Sequence, residues 1–175
     1  VHFHVVWRCC YSNWGWGVKE FNLMLGDCLE RMKEIESGTV DMILCDLPYG
    51  TTCCSWDAII PFEKLWPEYE RVIKPNGAIV LFGAQPFAAV LACSNLKLFR
   101  YEWIWEKPNA TGFLNAKKQP LRAHENILVF YKSQPTYNPQ KTFGHERKTA
   151  KKKVIGSEHY GKQLSVKDYD STERY

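Results

Sequence analysis

What the 175-residue sequence lacks narrows its class first. No apolar run approaches the roughly 18 residues that a membrane-spanning helix needs. No succession of charged, apolar and small residues marks a secretory signal. The expectation is a cytosolic protein without a membrane partner. Seven cysteines include the adjacent pairs Cys9-Cys10 and Cys53-Cys54, yet none has the Cys-x-x-Cys spacing of a zinc site. Reduced, structural thiols and no bound metal are expected. Internal repeats are missing. So is a convincing glycine-rich cofactor loop, because Gly15-Trp16-Gly17 neither follows a buried strand nor opens an amphipathic helix. Acidic excess is absent too. Residues 1–134 carry fourteen Lys or Arg against fourteen Asp or Glu, and residues 135–175 carry nine against five, so the net charge of +4 lies wholly at the C-terminal end.

The 45% hydrophobic and 14% aromatic content suffices for one core. Residues 21–25 read as a short apolar strand, and Leu29, Met32 and Ile35 recur at helical spacing before Ser37-Gly38 ends the segment. With the strand that follows at Val40 they make one βαβ unit. Phe62, Leu65, Tyr69, Val72 and Ile73 mark a second helix, which Pro67 is expected to kink or split. Lys74-Pro75-Asn76-Gly77 reads as a turn and residues 78–82 as a buried strand. A helix over residues 86–93 and strands over residues 101–105 and 126–131 complete the pattern. Such alternation predicts an α/β fold with a doubly wound, mostly parallel sheet. Three regions are expected: an atypical N-terminal extension over residues 1–21, a catalytic domain over 22–134, and a basic, loop-rich segment over 135–175.

The stretch Val40-Asp41-Met42-Ile43-Leu44-Cys45-Asp46-Leu47-Pro48-Tyr49-Gly50 organises the rest. Its first part has the composition of a fully buried parallel strand, and it ends in a carboxylate, a proline, an aromatic ring and a glycine. Ligands of open α/β sheets bind beyond the carboxyl ends of strands, which puts Asp46 to Tyr49 at the mouth of a site. Pro48 drives Leu47 into an extended conformation, fixing its carbonyl beside the Asp46 carboxylate. Two acceptors followed by a flat ring suit the grip of an exocyclic amino group with stacking on its heterocycle.

Asp46-Leu47-Pro48-Tyr49 resembles the Asp-Pro-Pro-Tyr motif of the amino-methylating DNA methyltransferases, which act on adenine N6 or cytosine N4. The resemblance extends through Gly26-Asp27-Cys28, Trp56-Asp57, Trp105-Glu106-Lys107-Pro108-Asn109, the run from His124-Glu125-Asn126 to Phe130, and Tyr137-Asn138-Pro139-Gln140. Order and spacing are similar to the bacterial and phage enzymes in which the catalytic motif precedes the cofactor's glycine loop. Leu47 departs from the more usual proline at a position whose backbone carbonyl does the work.

The resemblance implies a Rossmann-like, S-adenosylmethionine-dependent fold, incomplete at the C-terminus. It implies Asp46, Leu47, Pro48 and Tyr49 as catalytic residues, adenine N6 ahead of cytosine N4 as acceptor, and Asp27, Cys28 and Asp46 against the cofactor. Asp27 has a second reading as the N-cap of the helix near Leu29. The implied partners are double-stranded DNA and either a second copy of the chain or a completing C-terminal segment, without which cofactor binding is expected to be weak. Residues 107–124 are too long and polar for a tight connection, and Lys117, Lys118, Arg122 and His124 there suit a flipped nucleotide and its phosphates. Arg147, Lys148, Lys151, Lys152 and Lys153 read either as a solvated tail or as a phosphate-contacting segment. Two other classes stay open: an inactive nucleic-acid-binding remnant, and an N-methyltransferase acting on RNA or protein glutamine.

Overall fold

Burial on one side of a short sheet determines the architecture. The computed structural model describes residues 5–6 and 22–146. Two units are distinguished, Val1–Thr136 and Tyr137–Tyr175. In the first, a two-stranded antiparallel ribbon joins β1 (Val5–Val6) to β2 (Leu23–Met24). After α1 (Cys28–Met32) comes the main sheet, formed by β3 (Val40–Asp46), β4 (Ile73–Gly83), β5 (Phe99–Thr111) and β6 (Arg122–Phe130) in the order β3-β4-β6-β5. Helix α2 (Phe62–Val72) links β3 to β4, and α3 (Phe87–Ser94) links β4 to β5.

The α/β class and the strand at Val40 are as the periodicity indicates. The sheet, however, is mixed rather than mostly parallel. β3 and β4 are parallel, because α2 provides the crossover, whereas β6 runs antiparallel to both β4 and β5. The expected first strand does not join this sheet among the described residues. β2 pairs with Val5–Val6 instead, so the βαβ unit drawn from residues 21–46 is not formed as one sheet.

Register sorts the side chains onto two faces. Ile43, Ile79, Leu81, Leu128 and Phe130 share the face that α2 and α3 cover, and all are at most 1% exposed. The opposite face carries Met42 and Leu44, 47% and 50% exposed, with Trp103 and Trp105 at 47% and 46%. β3 is therefore buried on one side only among the described residues, not on both as its composition suggests.

Helix α2 runs through Pro67 as one element. Proline in a helix interior costs about 3 kcal/mol or more. Leu65, Trp66, Tyr69 and Val72 are all buried on that helix, and each contributes roughly 1.5–3 kcal/mol, so packing on both sides of Pro67 outweighs the lost hydrogen bond. The Trp66 indole N–H also donates to Ser94 Oγ at 2.8 Å, tying α2 to α3. Helix α1 is shorter than the spacing to Ile35 indicates and ends at Met32. The Arg71 guanidinium of α2 donates to the Met32 carbonyl at 2.6 Å and the Ile35 carbonyl at 2.7 Å, adding to the Ile35 N–H that reaches the Met32 carbonyl at 3.0 Å.

Lys74-Pro75-Asn76-Gly77 is not a free turn. It forms a bulge within β4, where the five steps from Ile73 to Ala78 face the two steps from Val40 to Met42. Gly77 permits this, since a Cβ there would lie 2.7 Å from Ile73 Cγ1 and 2.8 Å from the Asp41 carbonyl oxygen. No helix of the described residues is long and apolar enough to cross a membrane. Gly77→Ala should destabilise the fold by about 1–3 kcal/mol through overpacking against a backbone atom that cannot move aside. Urea unfolding checks this: the midpoint falls while the slope stays constant.

Candidate active site

The parallel pairing of β3 with β4 sets Asp46 level with Phe82, at the carboxyl edge of both strands. Asp46 is exposed there, while Leu47 and Pro48 turn into the protein and are buried. The next residue returns to the carboxylate. The Tyr49 hydroxyl donates to Asp46 Oδ1 at 2.6 Å, which leaves Oδ2 open among the described residues. One face of the Tyr49 ring stacks on Phe87 of α3, with centroids 5.0 Å apart and planes inclined at 28°, and Phe62 lies beyond at 6.0 Å from Phe87. Burial, followed by the bond to Asp46, pushes the Tyr49 hydroxyl far above its ordinary range, so it remains a donor across physiological pH.

The chain then turns sharply at Gly50, whose φ of +66° favours glycine. Asp57 holds this turn. Its carboxylate accepts the backbone N–H groups of Gly50 at 2.9 Å, Thr51 at 2.8 Å and Thr52 at 2.7 Å. The Thr52 hydroxyl, followed by these N–H groups, brings the Asp57 carboxyl down to about 2 against the opposing push of burial. Trp56-Asp57 belongs to the family resemblance, which assigns Asp57 no task. The available signal was a carboxylate a few residues after a Gly-Thr-Thr turn, a common partner for unsatisfied turn amides. Phe87 had no local signal, since only the tertiary fold brings it to Tyr49.

Asp27 adopts the N-cap role, with Oδ1 accepting the Leu29 N–H at 3.0 Å and the second oxygen open among the described residues. Cys28, the first residue of α1, is half-buried, and burial followed by Asp27 raises its thiol. It acts electrostatically on Cys45 and on the buried Tyr69, so the start of α1 lies near the end of β3 even though β2 is outside the main sheet. Cys28 and Cys45 both pack against the buried core.

Residues 107–124 are not a loop, as their polarity suggests. They form most of a hairpin arm, with Glu106 opposite His124 and Thr111 opposite Arg122. Asn126 pairs with Gly83 at the end of β4, so the four residues Arg122 to Glu125 project beyond the edge that carries Asp46. At about 3.4 Å per residue the arm overhangs by about 13 Å before its tip begins. Lys117, Lys118, Arg122 and His124 are all exposed on it. The ion pair of Lys107 with Glu125 braces its base. Arg147, Lys148, Lys151, Lys152 and Lys153 lie outside the described residues, as does Gly15-Trp16-Gly17.

Asp57→Asn should lower the thermal midpoint and loosen the turn after Tyr49. The sign follows from the depressed carboxyl: its contribution is complete above the ordinary value of 3.8 and disappears as pH falls through about 2. The stability gap between native and variant protein, measured from pH 7 to pH 2, should stay constant above pH ~4 and close below it. A gap independent of pH would remove the charged carboxylate from this role.

Comparison with known proteins agrees with this geometry. A family model described as DNA methylase, for the N6 and N4 enzymes, matches residues 40–173, well over half of the chain. The Type II methyltransferase M1.MboII of Moraxella bovis is 26% identical over 119 residues, covering 61% of this chain and 44% of that protein. The crystal structure of the M1.HpyAVI–SAM complex superposes with a TM-score of 0.51 at 20% identity, covering 69% of this chain and 61% of the other, which supports the fold. The chain thus spans less than half the length of the curated relative it matches. From the extent of the family match, the chain belongs to the N6/N4 DNA methylase family.

Proposed function

We infer that the chain grips the exocyclic amine of a base flipped out of duplex DNA for methylation, with adenine N6 ahead of cytosine N4. The observation that carries this reading is the exposed Asp46 carboxylate at the end of β3, oriented through one oxygen by Tyr49 and open at the other. An aromatic amine is a poor nucleophile because its lone pair is delocalised into the ring. Asp46 Oδ2 and the Leu47 carbonyl accept its two N–H bonds and draw the nitrogen toward tetrahedral geometry. Pro48 keeps Leu47 extended, which holds the two acceptors side by side. The free face of Tyr49 offers the base a platform already stiffened by Phe87. Flipping costs a few kcal/mol. Stacking returns roughly 1–3 kcal/mol of it, and the hydrogen bonds supply the remainder.

The cofactor of this reading is S-adenosylmethionine, which supplies an electrophilic methyl group on a sulfonium sulfur. It is rich in N–H and O–H donors. Asp27, exposed and with one oxygen open, fits such a ligand, as do the Cys28 backbone and Asp46. The N-cap bond does not compete, since it uses only Asp27 Oδ1 and orients the other oxygen. The chain's own contribution to rate is alignment of the amine and exclusion of water around it.

In the enzyme completed by its C-terminal segment, Asp46→Ala should lower methyl transfer by at least about 10²-fold, the scale for removing one oriented polar group, while leaving the circular dichroism spectrum unchanged. Near-normal turnover would refute the grip. Mass analysis of nucleosides from methylated DNA identifies the acceptor base. The basic segment enters the same reading as a phosphate contact. Neutralising Arg147, Lys148, Lys151, Lys152 and Lys153 should weaken DNA binding equally across sequences and flatten its salt dependence by as many as about four to five counterions. An unchanged slope would assign these residues to a solvated tail.

A further inference from the structure

The tip of the β5–β6 arm has a composition that the amine grip does not use. The connection from Gly112 to Leu121 begins with a 3-10 turn, Phe113–Asn115, directly after β5. A surface turn is ordinarily polar, yet Phe113 and Leu114 stand here side by side at 76% and 85% exposure. The exposed apolar side chains Met42, Leu44, Trp103 and Trp105 share the open face of the main sheet. Phe113 and Leu114 stand apart from that face.

Four backbone bonds fasten the turn. Asn115 N–H donates to the Gly112 carbonyl at 3.0 Å, Ala116 N–H to Phe113 at 3.1 Å, and Lys118 and Gln119 N–H to Asn115 at 2.8 and 3.0 Å. The apolar pair is thus presented on a hydrogen-bonded knuckle. Its charge is one-sided: from Lys107 to Ala123 the sequence holds no carboxylate. Lys107 is paired with Glu125 at the base of the arm. Lys117, Lys118 and Arg122 make no ion pair among the described residues.

We propose that this tip is a wedge for duplex DNA, with Phe113 and Leu114 entering the base stack while Lys117, Lys118 and Arg122 hold the flanking phosphates. The proposal rests on the reading that the substrate is a base drawn out of a duplex. Once a base occupies the Asp46 site, the remainder of the duplex lies outside the sheet edge, on the side toward which the arm overhangs by about 13 Å. The departing base leaves an unfilled step. Apolar side chains inserted at such a step unstack and kink the duplex, and nearby cations replace condensed counterions on the backbone. An apolar pair ringed by unpaired cations also suits an anionic membrane. The overhang on the acceptor side favours DNA.

The test uses the 175-residue chain and a labelled 30-base-pair duplex, fully paired or carrying one central mismatch, in anisotropy titrations from low to high KCl. Because a weakened stack is easier to open, the native chain should bind the mismatched duplex at least about fivefold more tightly. The pair Phe113→Ser and Leu114→Ser should erase that preference and keep the salt slope. The triple change of Lys117, Lys118 and Arg122 to Gln should weaken both duplexes alike, keep the preference, and reduce the slope by about 3. Equal urea midpoints of native and variant chains verify that the exposed turn was changed without unfolding.

A mismatch preference that survives loss of Phe113 and Leu114, or none in the native chain, would overturn the wedge. So would tighter binding to phosphatidylserine vesicles than to DNA that is abolished by the same double change. A mismatch preference carried by Phe113 and Leu114, together with near-normal methyl transfer by the Asp46→Ala form of the completed enzyme, would contradict the amine grip and leave the wedge standing.

Discussion

The parallel ladder between β3 and β4 is the constraint on which the rest depends. It places Asp46 at the end of its strand level with Phe82, and from that level every other group takes its position. A shift of one residue would exchange Ile43 for Leu44 on the buried face and move the carboxylate across the sheet. The bulge at Lys74-Pro75-Asn76-Gly77 lies at the entrance of the same ladder and absorbs the surplus residues before the register that matters begins. Below the ladder, Ile43, Ile79 and Leu81 form a buried layer with α2 and α3. Phe87 belongs both to that layer and to the stack under Tyr49, so core packing and site geometry meet in one side chain.

The other side of the site depends on antiparallel pairing. β6 continues past the end of β4 because β5 travels with it as a hairpin partner, which pairs the projecting backbone along one side. Polar side chains steady the junction. Asn126, buried level with Gly83, donates to Glu102 of β5 at 3.0 Å, and Lys107 pairs with Glu125 just beyond. Glu125 also acts electrostatically on Tyr49, which shows how near the base of the arm comes to the motif.

Much of this was legible in the sequence where local chemistry dictates local structure. The apolar run ending in Asp46-Leu47-Pro48-Tyr49 announces a strand with a site at its tip, and Asp27 announces a helix cap. Strand direction was not legible, because the run at Asn126 to Phe130 has the same composition whether it pairs parallel or antiparallel. Nor was the arm. Pro108, Gly112 and Pro120 punctuate residues 107–124 as a loop would be punctuated, but the bulge between Glu106 and Thr111 accommodates Pro108 within a paired strand. The failure at Lys74 to Gly77 has the same origin: turn-forming residues also build bulges, and only the partner strand distinguishes the two. Pro67 was misjudged for another reason, since the burial that carries α2 through it comes from β-sheet residues distant in sequence.

Arg71 gives α1 an unusual dependence. A helix of five residues has little stability of its own in water, and the guanidinium of α2 adds a donor to the Met32 carbonyl at its end. The second helix therefore reinforces the first, although it is synthesised later. Asp27 and Cys28 stand at the start of that helix, so their surroundings draw on a residue made more than forty positions downstream. In a chain emerging from the ribosome, the acceptor strand and its helix can assemble first, and the neighbourhood of Asp27 is the later of the two to take shape.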